Sequence, residues 1–176
     1  MKGTLGFAGD ILKITLISLL IILPIRFYVA QPFFVRGASM EPSFQDGDYL
    51  VIDEISYRFS DPKRGDVVVF RVPTGSAQFL IKRIVGLPGE VVVINGSMVI
   101  INEQELVEEY LDESTPGDVR VVLGEKEFFV LGDNRDSSFD SRQWGTLPRD
   151  NIVGRAWLRA WPISQFNFVD IPQYGI

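Results

Sequence analysis

Histidine and cysteine are both absent from this 176-residue chain. Without cysteine there is no disulfide, thiol nucleophile, zinc ribbon or iron–sulfur cluster. Without histidine, His-Glu-x-x-His zinc proteases, Ser-His-Asp triads and proximal haem ligands are excluded. A basic stripe is missing too. The formal net charge of −6 argues against nucleic acid as a partner, since nothing is arranged to neutralise phosphates. What is present is an ordinary balance, 46% hydrophobic and 23% charged, sufficient for one compact domain with a short appendage.

The appendage lies at the N-terminus. Residues 11–30 read ILKITLISLLIILPIRFYVA. The uninterrupted apolar stretch from Ile14 to Ile25 is too short for a hydrocarbon layer of ~30 Å at ~1.5 Å per residue. Extended through Ala30, with Lys13 and Arg26 snorkelling, it reaches the required length. Pro24 would kink the last turns, and Tyr28 suits a headgroup interface. A retained single-span anchor is the leading expectation, after a tail at residues 1–10. The rivals are a cleaved signal peptide and a buried core helix. The first fits poorly, because Tyr28 stands where a small residue is needed and Pro32 follows the would-be cut. Charge leaves orientation open, because Lys2 and Lys13 balance Arg26 and Arg36.

From residue 31 to 176 the pattern is β. Short β-branched runs separated by turn residues predict strands over Tyr49–Ile52, Val67–Val72, Phe79–Val85, Val91–Ile94, Met98–Ile101, Val119–Leu123, Glu127–Leu131 and Ile152–Leu158. Asn95-Gly96 between two apolar runs predicts a hairpin with a type I′ turn. The acidic segment from Glu103 to Gly117 reads as a mobile loop. The expected fold is mainly β, an antiparallel, barrel-like sheet domain, with residues 91–125 as a small inserted β subdomain.

Two polar residues stand out. Ser39, in Ser39-Met40-Glu41-Pro42, reads by itself either as a turn residue or as a nucleophile. Gly37 and Ala38 leave the Ser39 amide open to a substrate carbonyl. With no imidazole in the chain, a reactive serine needs another amine as its base. Lys82 is the best candidate, flanked on its strand face by Leu80 and Ile84. It is either a surface lysine on a half-exposed strand or a desolvated amine. Free lysine is neutral only about four times in ten thousand at pH 7, and burial would raise that fraction.

The third cluster runs from Gly132 to Gly145, GDNRDSSFDSRQWG. A calcium loop fits badly, since Arg135 occupies a ligand position and no glutamate closes the loop. The alternation of acids with Arg135 and Arg142 suits an ion-paired turn that presents a hydroxyl such as Ser138 to Lys82.

Taken together, these segments resemble type I signal peptidases, membrane-bound serine proteases that remove signal peptides from exported proteins. The resemblance is carried by Ser39-Met40-Glu41-Pro42-Ser43-Phe44, Arg64-Gly65-Asp66-Val67-Val68-Val69-Phe70, Lys82-Arg83-Ile84-Val85-Gly86-Leu87-Pro88-Gly89-Glu90 and the Gly132–Gly145 stretch, in the family's order.

The resemblance implies Ser39 as nucleophile and Lys82 as general base. It implies that Ser138 hydrogen-bonds the lysine, that Asp140 and Arg142 form a supporting pair, and that Asp133 pairs with Arg83. Phe33, Val35, Met40, Phe44, Leu80 and Ile81 match the substrate-pocket lining. The implied partners are the lipid bilayer and preprotein signal peptides with small residues one and three positions before the cut. The implied location is a single-pass membrane protein with its β domain on the export side, working without metal or organic cofactor. Gly37 replaces a serine that helps bind the oxyanion in some members. Two alternatives stand beside this reading: a related Ser/Lys protease that cleaves itself, and a non-catalytic membrane-anchored β domain that binds a partner.

Overall fold

The computed structural model describes residues 2–24, 30–75, 78–111 and 114–175. One long helix, α1 (Lys2–Pro24), precedes the β structure. It starts nine residues before the expected Ile11, because no proline interrupts the sequence before Pro24, its last residue. The described α1 side chains are almost all exposed, including Phe7, Ile11, Leu12, Ile14, Leu16, Ile17 and Leu20. Among the described residues no helix is long and apolar enough to cross a membrane. Residues 25–29, with Arg26 and Tyr28, lie outside the described set.

The strands are β1 (Ala30–Phe34), β2 (Tyr49–Asp53), β3 (Val67–Arg71), β4 (Phe79–Gly86), β5 (Val91–Gly96), β6 (Met98–Ile101), β7 (Gln104–Glu105), β8 (Gly117–Val122), β9 (Glu127–Leu131), β10 (Leu147–Pro148), β11 (Ile152–Trp161) and β12 (Asn167–Phe168). A four-residue helix, α2 (Ser141–Trp144), lies between β9 and β10. All eight predicted strands form, with ends within three residues of those expected. The four others escape the sequence pattern for physical reasons. Three are two-residue bridges, fixed by their partners. The fourth, β1, contains Pro32, which a strand tolerates at a sheet edge, and β1 is the edge.

The first sheet has the order β1-β2-β11-β3-β4-β9-β10, with β12 paired to β11. Every pairing is antiparallel. Register shifts interrupt β11 against both β2 and β3, and such bulges bend a strand and increase its twist. The sheet curls enough that Phe33 of β1 meets Phe79 of β4, ring centroids 5.9 Å apart, although three strands separate β1 and β4 in the ladder.

β3 is buried on both faces. Val67 and Val69 pack into a core with Val35, Met40, Phe44, Leu50 and Ile52. Val68 and Phe70 pack into a second core with Tyr57, Ile84, Phe128, Val130 and Leu147.

The second sheet, β7-β6-β5-β8, packs one face on a third core, where Val92, Ile94, Val99 and Ile101 meet Phe129 and Leu131 of the first sheet. Its hairpin differs from the expected turn. Asn95 pairs with Met98, so the two-residue loop is Gly96-Ser97. Gly96, at the first central position, has φ 66° while Ser97, at the second, is not in the left-handed region, so this is not the type I′ turn expected. Ser97 N–H donates to Asn95 O at 2.7 Å, a tight turn about Gly96. The acidic segment is also not the free loop expected. Glu105 pairs in β7, Glu108 binds Arg135 and Tyr110 stacks on Arg83.

Candidate active site

Ser39 sits in the loop joining β1 to β2. The loop is closed at its base by Val35 N–H to Asp48 O (2.9 Å) and Gly47 N–H to Val35 O (3.0 Å). Within it, Gly37 has φ +81°, and its N–H donates to Asp46 Oδ1 at 2.7 Å. Met40 and Phe44 anchor the loop by plugging into the core beneath it. The resemblance places both in the lining of the substrate cleft over Ser39. Neither is among the residues lining it, because both face inward from the turn that carries Ser39.

Lys82 lies mid-strand in β4, opposite Val68, and is 2% exposed. Its Nζ donates to Ser39 Oγ at 2.6 Å and to Ile81 O at 2.8 Å. The surface-lysine reading is thus excluded. Burial lowers the lysine pKa to about 8, with Asp140 and Asp133 pulling it partly back up.

The loop after β9 supplies those carboxylates. Asp133 takes Arg83 Nε and Nη2 at 2.9 and 2.6 Å. Burial alone would lower the Arg83 pKa, but the bonds and charge of Asp133 outweigh it and the net direction is upward. Asp140 takes Arg142 Nε and Nη2, each at 2.8 Å. It also caps α2, in a capping box with Gln143, and accepts the Gly132 N–H at 3.1 Å. Asn134 N–H reaches Ser39 O at 3.2 Å, tying this loop to the serine turn.

Ser138 is placed beside the pair without joining it. Its buried Oγ has no hydrogen-bond partner, and the bonds from Lys82 go to Ser39 and Ile81 instead. Gly132 explains its position. A Cβ there would clash with the Ser138 side chain and lie 2.5 Å from Ser39 O, so only glycine allows the three backbone segments to converge.

A cleft of about 400 Å³ opens over Ser39 and Lys82. Phe33, Val35, Leu80 and Ile81 line it. Arg36, Gln78 and Phe79 line it as well, and sequence reasoning missed them. For Phe79 the signal was its place at the start of the lysine strand, two residues before Ile81.

Buried Arg135 was also missed as a structural centre. It holds Glu108 at 2.6 and 2.7 Å, Gly132 O at 3.0 Å and the Thr115 hydroxyl.

The family model for signal peptidase, peptidase S26, matches residues 8–161. The chain belongs to this family. A signal peptidase I from Leptolyngbya laminosa is 40% identical over 168 residues, 89% of this chain and 81% of that protein. A probable signal peptidase I-1 from Synechocystis is 36% identical, covering 91% of this chain and 86% of the relative. A crystal structure of a signal peptidase I from Enterococcus faecalis matches with TM-score 0.49 at 32% identity, over 55% of this chain and 97% of that one. Membership in the peptidase S26 family makes this chain a serine peptidase.

Proposed function

We propose that this chain is a membrane-anchored serine endopeptidase that removes signal peptides from exported preproteins, with Ser39 as nucleophile and Lys82 as general base. The observation that carries the reading is the 2.6 Å contact from Lys82 Nζ to Ser39 Oγ, made by an amine whose burial brings its pKa to about 8. Near that pH about half of the lysine is neutral, against a few in a thousand for the free side chain.

The substrate enters as an extended strand. β4 pairs with β3 from Phe79 onward but with β9 only from Arg83. The second edge of residues 79–82 therefore faces the cleft among the described residues, and an added strand would satisfy it. The shallow apolar lining of Ile81, Leu80 and Val35 suits small side chains before the cut. Ser39 Oγ attacks the carbonyl as Lys82 takes its proton, and the Ser39 N–H stabilises the oxyanion. The Lys82 ammonium then protonates the leaving amine. Neutral again, Lys82 activates the water that releases the acyl group from Ser39. Asp140–Arg142 and Asp133–Arg83 hold the surrounding loop, and Ser138 accepts from the lysine ammonium when it forms.

Membrane attachment rests on apolar surface. The described side chains of α1 are almost all exposed, and Phe34, Trp157, Trp161, Phe166 and Phe168 are exposed on or beside β1, β11 and β12. The anchor is assigned to residues 11–30, and the β domain to the export side.

Ser39→Ala and Lys82→Ala, each assayed on a preprotein in detergent, test the pair. Cleavage by either variant at the wild-type rate would refute it.

A further inference from the structure

The family match ends at residue 161, yet the chain continues across both halves of the domain. Val169 packs on the core beneath the serine loop, with its N–H on Trp157 O at 3.0 Å. Five residues later Tyr174 is buried in the core under the second sheet. Between them, Ile171 and Pro172 lie over Gly65. A Cβ on Gly65 would be 2.8 Å from Ile171 Cγ2 and 3.0 Å from Tyr174 Cε2. Residues 169–175 thus strap the two sheets together over the Arg64-Gly65-Asp66 turn.

What the strap holds is the surroundings of Arg83. Tyr174 meets Tyr110 edge to face, centroids 6.2 Å apart, with a hydroxyl-to-hydroxyl bond of 3.3 Å. The Tyr110 ring lies 4.5 Å from the Arg83 guanidinium carbon, within cation–π range. On its other side Arg83 Nη1 donates to Gly65 O at 3.0 Å. Tyr110 and Gly65 therefore both touch Arg83, and both are packed against the strap. A cavity of about 540 Å³ borders Arg83 and Tyr110 and is walled by Pro172 and Gln173, so the strap also limits how far water reaches the Arg83–Asp133 pair.

We propose that this strap is a positioning element of the active site, in which Tyr174, through Tyr110 and Gly65, fixes Arg83 on Asp133 and so sets the field at Lys82. The inference rests on the catalytic reading of Ser39 and Lys82. The charged groups acting on Lys82 are Asp140, held by Arg142, and Asp133, held by Arg83. Those acting on Arg83 are Asp133, Tyr110 and Tyr174. With the strap loosened, Arg83 no longer fully neutralises Asp133. The exposed carboxylate then favours the charged form of Lys82.

The test compares wild type, Tyr174→Ala and Tyr174→Phe on one preprotein in detergent, with kcat and KM followed over about pH 6 to 10 and thermal unfolding measured alongside. Tyr174→Ala is expected to lower kcat roughly tenfold, the scale of a broken packed network. KM should stay nearly unchanged, and the acid-side limb should move to higher pH. Tyr174→Phe, which keeps the ring and loses the hydroxyl bond, should move the limb in the same direction by less. A folded Tyr174→Ala with the wild-type pH profile overturns the proposal. If Tyr174→Ala does not fold, an unshifted limb in Tyr174→Phe overturns it. If wild-type cleavage does not depend on Ser39, the catalytic reading itself fails and the strap's role falls with it.

Discussion

Arg83 grips both carboxylate oxygens of Asp133, at 2.9 and 2.6 Å, one residue along the strand from Lys82. Both partners are almost completely buried. The pair is therefore more consequential when broken than when formed, because one ion would remain in the interior without its counter-charge. Asp133→Asn is expected to cost about 3–5 kcal/mol of folding stability, read by denaturant unfolding. A loss below ~1 kcal/mol would mean that the pair is solvated.

Gly132 gives a sharper steric prediction. Its missing Cβ is what lets Ser138 and the Ser39 carbonyl approach. Gly132→Ala should destabilise the fold by about 1–3 kcal/mol through overpacking and abolish most cleavage by displacing Ser39. Unfolding curves and the cleavage assay together check this. Full activity in Gly132→Ala would show that the serine turn is not held from this side.

The Ser39–Lys82 pairing was legible in the sequence because absence narrowed the chemistry: with no imidazole, only an amine on an apolar strand could serve. The strands were legible because β-branched runs alternate with turn residues. That Met40 and Phe44 pack into the core beneath the serine turn was not legible, because sequence proximity to Ser39 does not reveal which way a turn points its side chains. The role of Tyr174 was invisible for a different reason. Its partners, Tyr110 and Gly65, lie far away in the chain, and only the packing of two sheets brings them together. The same holds for Glu108 and Arg135, whose pairing turns an acidic segment from a free loop into part of the frame.

Lys82 also predicts how stability depends on pH. Its pKa falls from 10.5 unfolded to about 8 folded, so between these values the unfolded state binds more protons and stability rises with pH. The penalty is complete below about pH 8 and fades toward 10.5. Lys82→Met should accordingly be more stable than wild type at pH 6, by up to about 3 kcal/mol, with the gap closing as pH rises. Thermal unfolding at both ends of this range checks the sign. A gap that widens with pH would contradict it.

The Gly37 amide is committed to Asp46, and in the proposed mechanism the Ser39 amide is the backbone donor for the oxyanion. Asp46→Ala should free the left-handed glycine and loosen the turn, lowering kcat several-fold, while Asp46→Asn keeps an acceptor and should recover most of it. Equal activity in all three proteins would remove Asp46 from the account.

The most direct test is single-turnover acylation, followed by mass spectrometry of the enzyme quenched at successive times and pH values. An acyl adduct on Ser39 is predicted, forming at a rate governed by one ionisation near pH 8 and absent from Lys82→Ala. An adduct on another residue, or one forming on Ser39 equally fast without Lys82, would contradict the central claim.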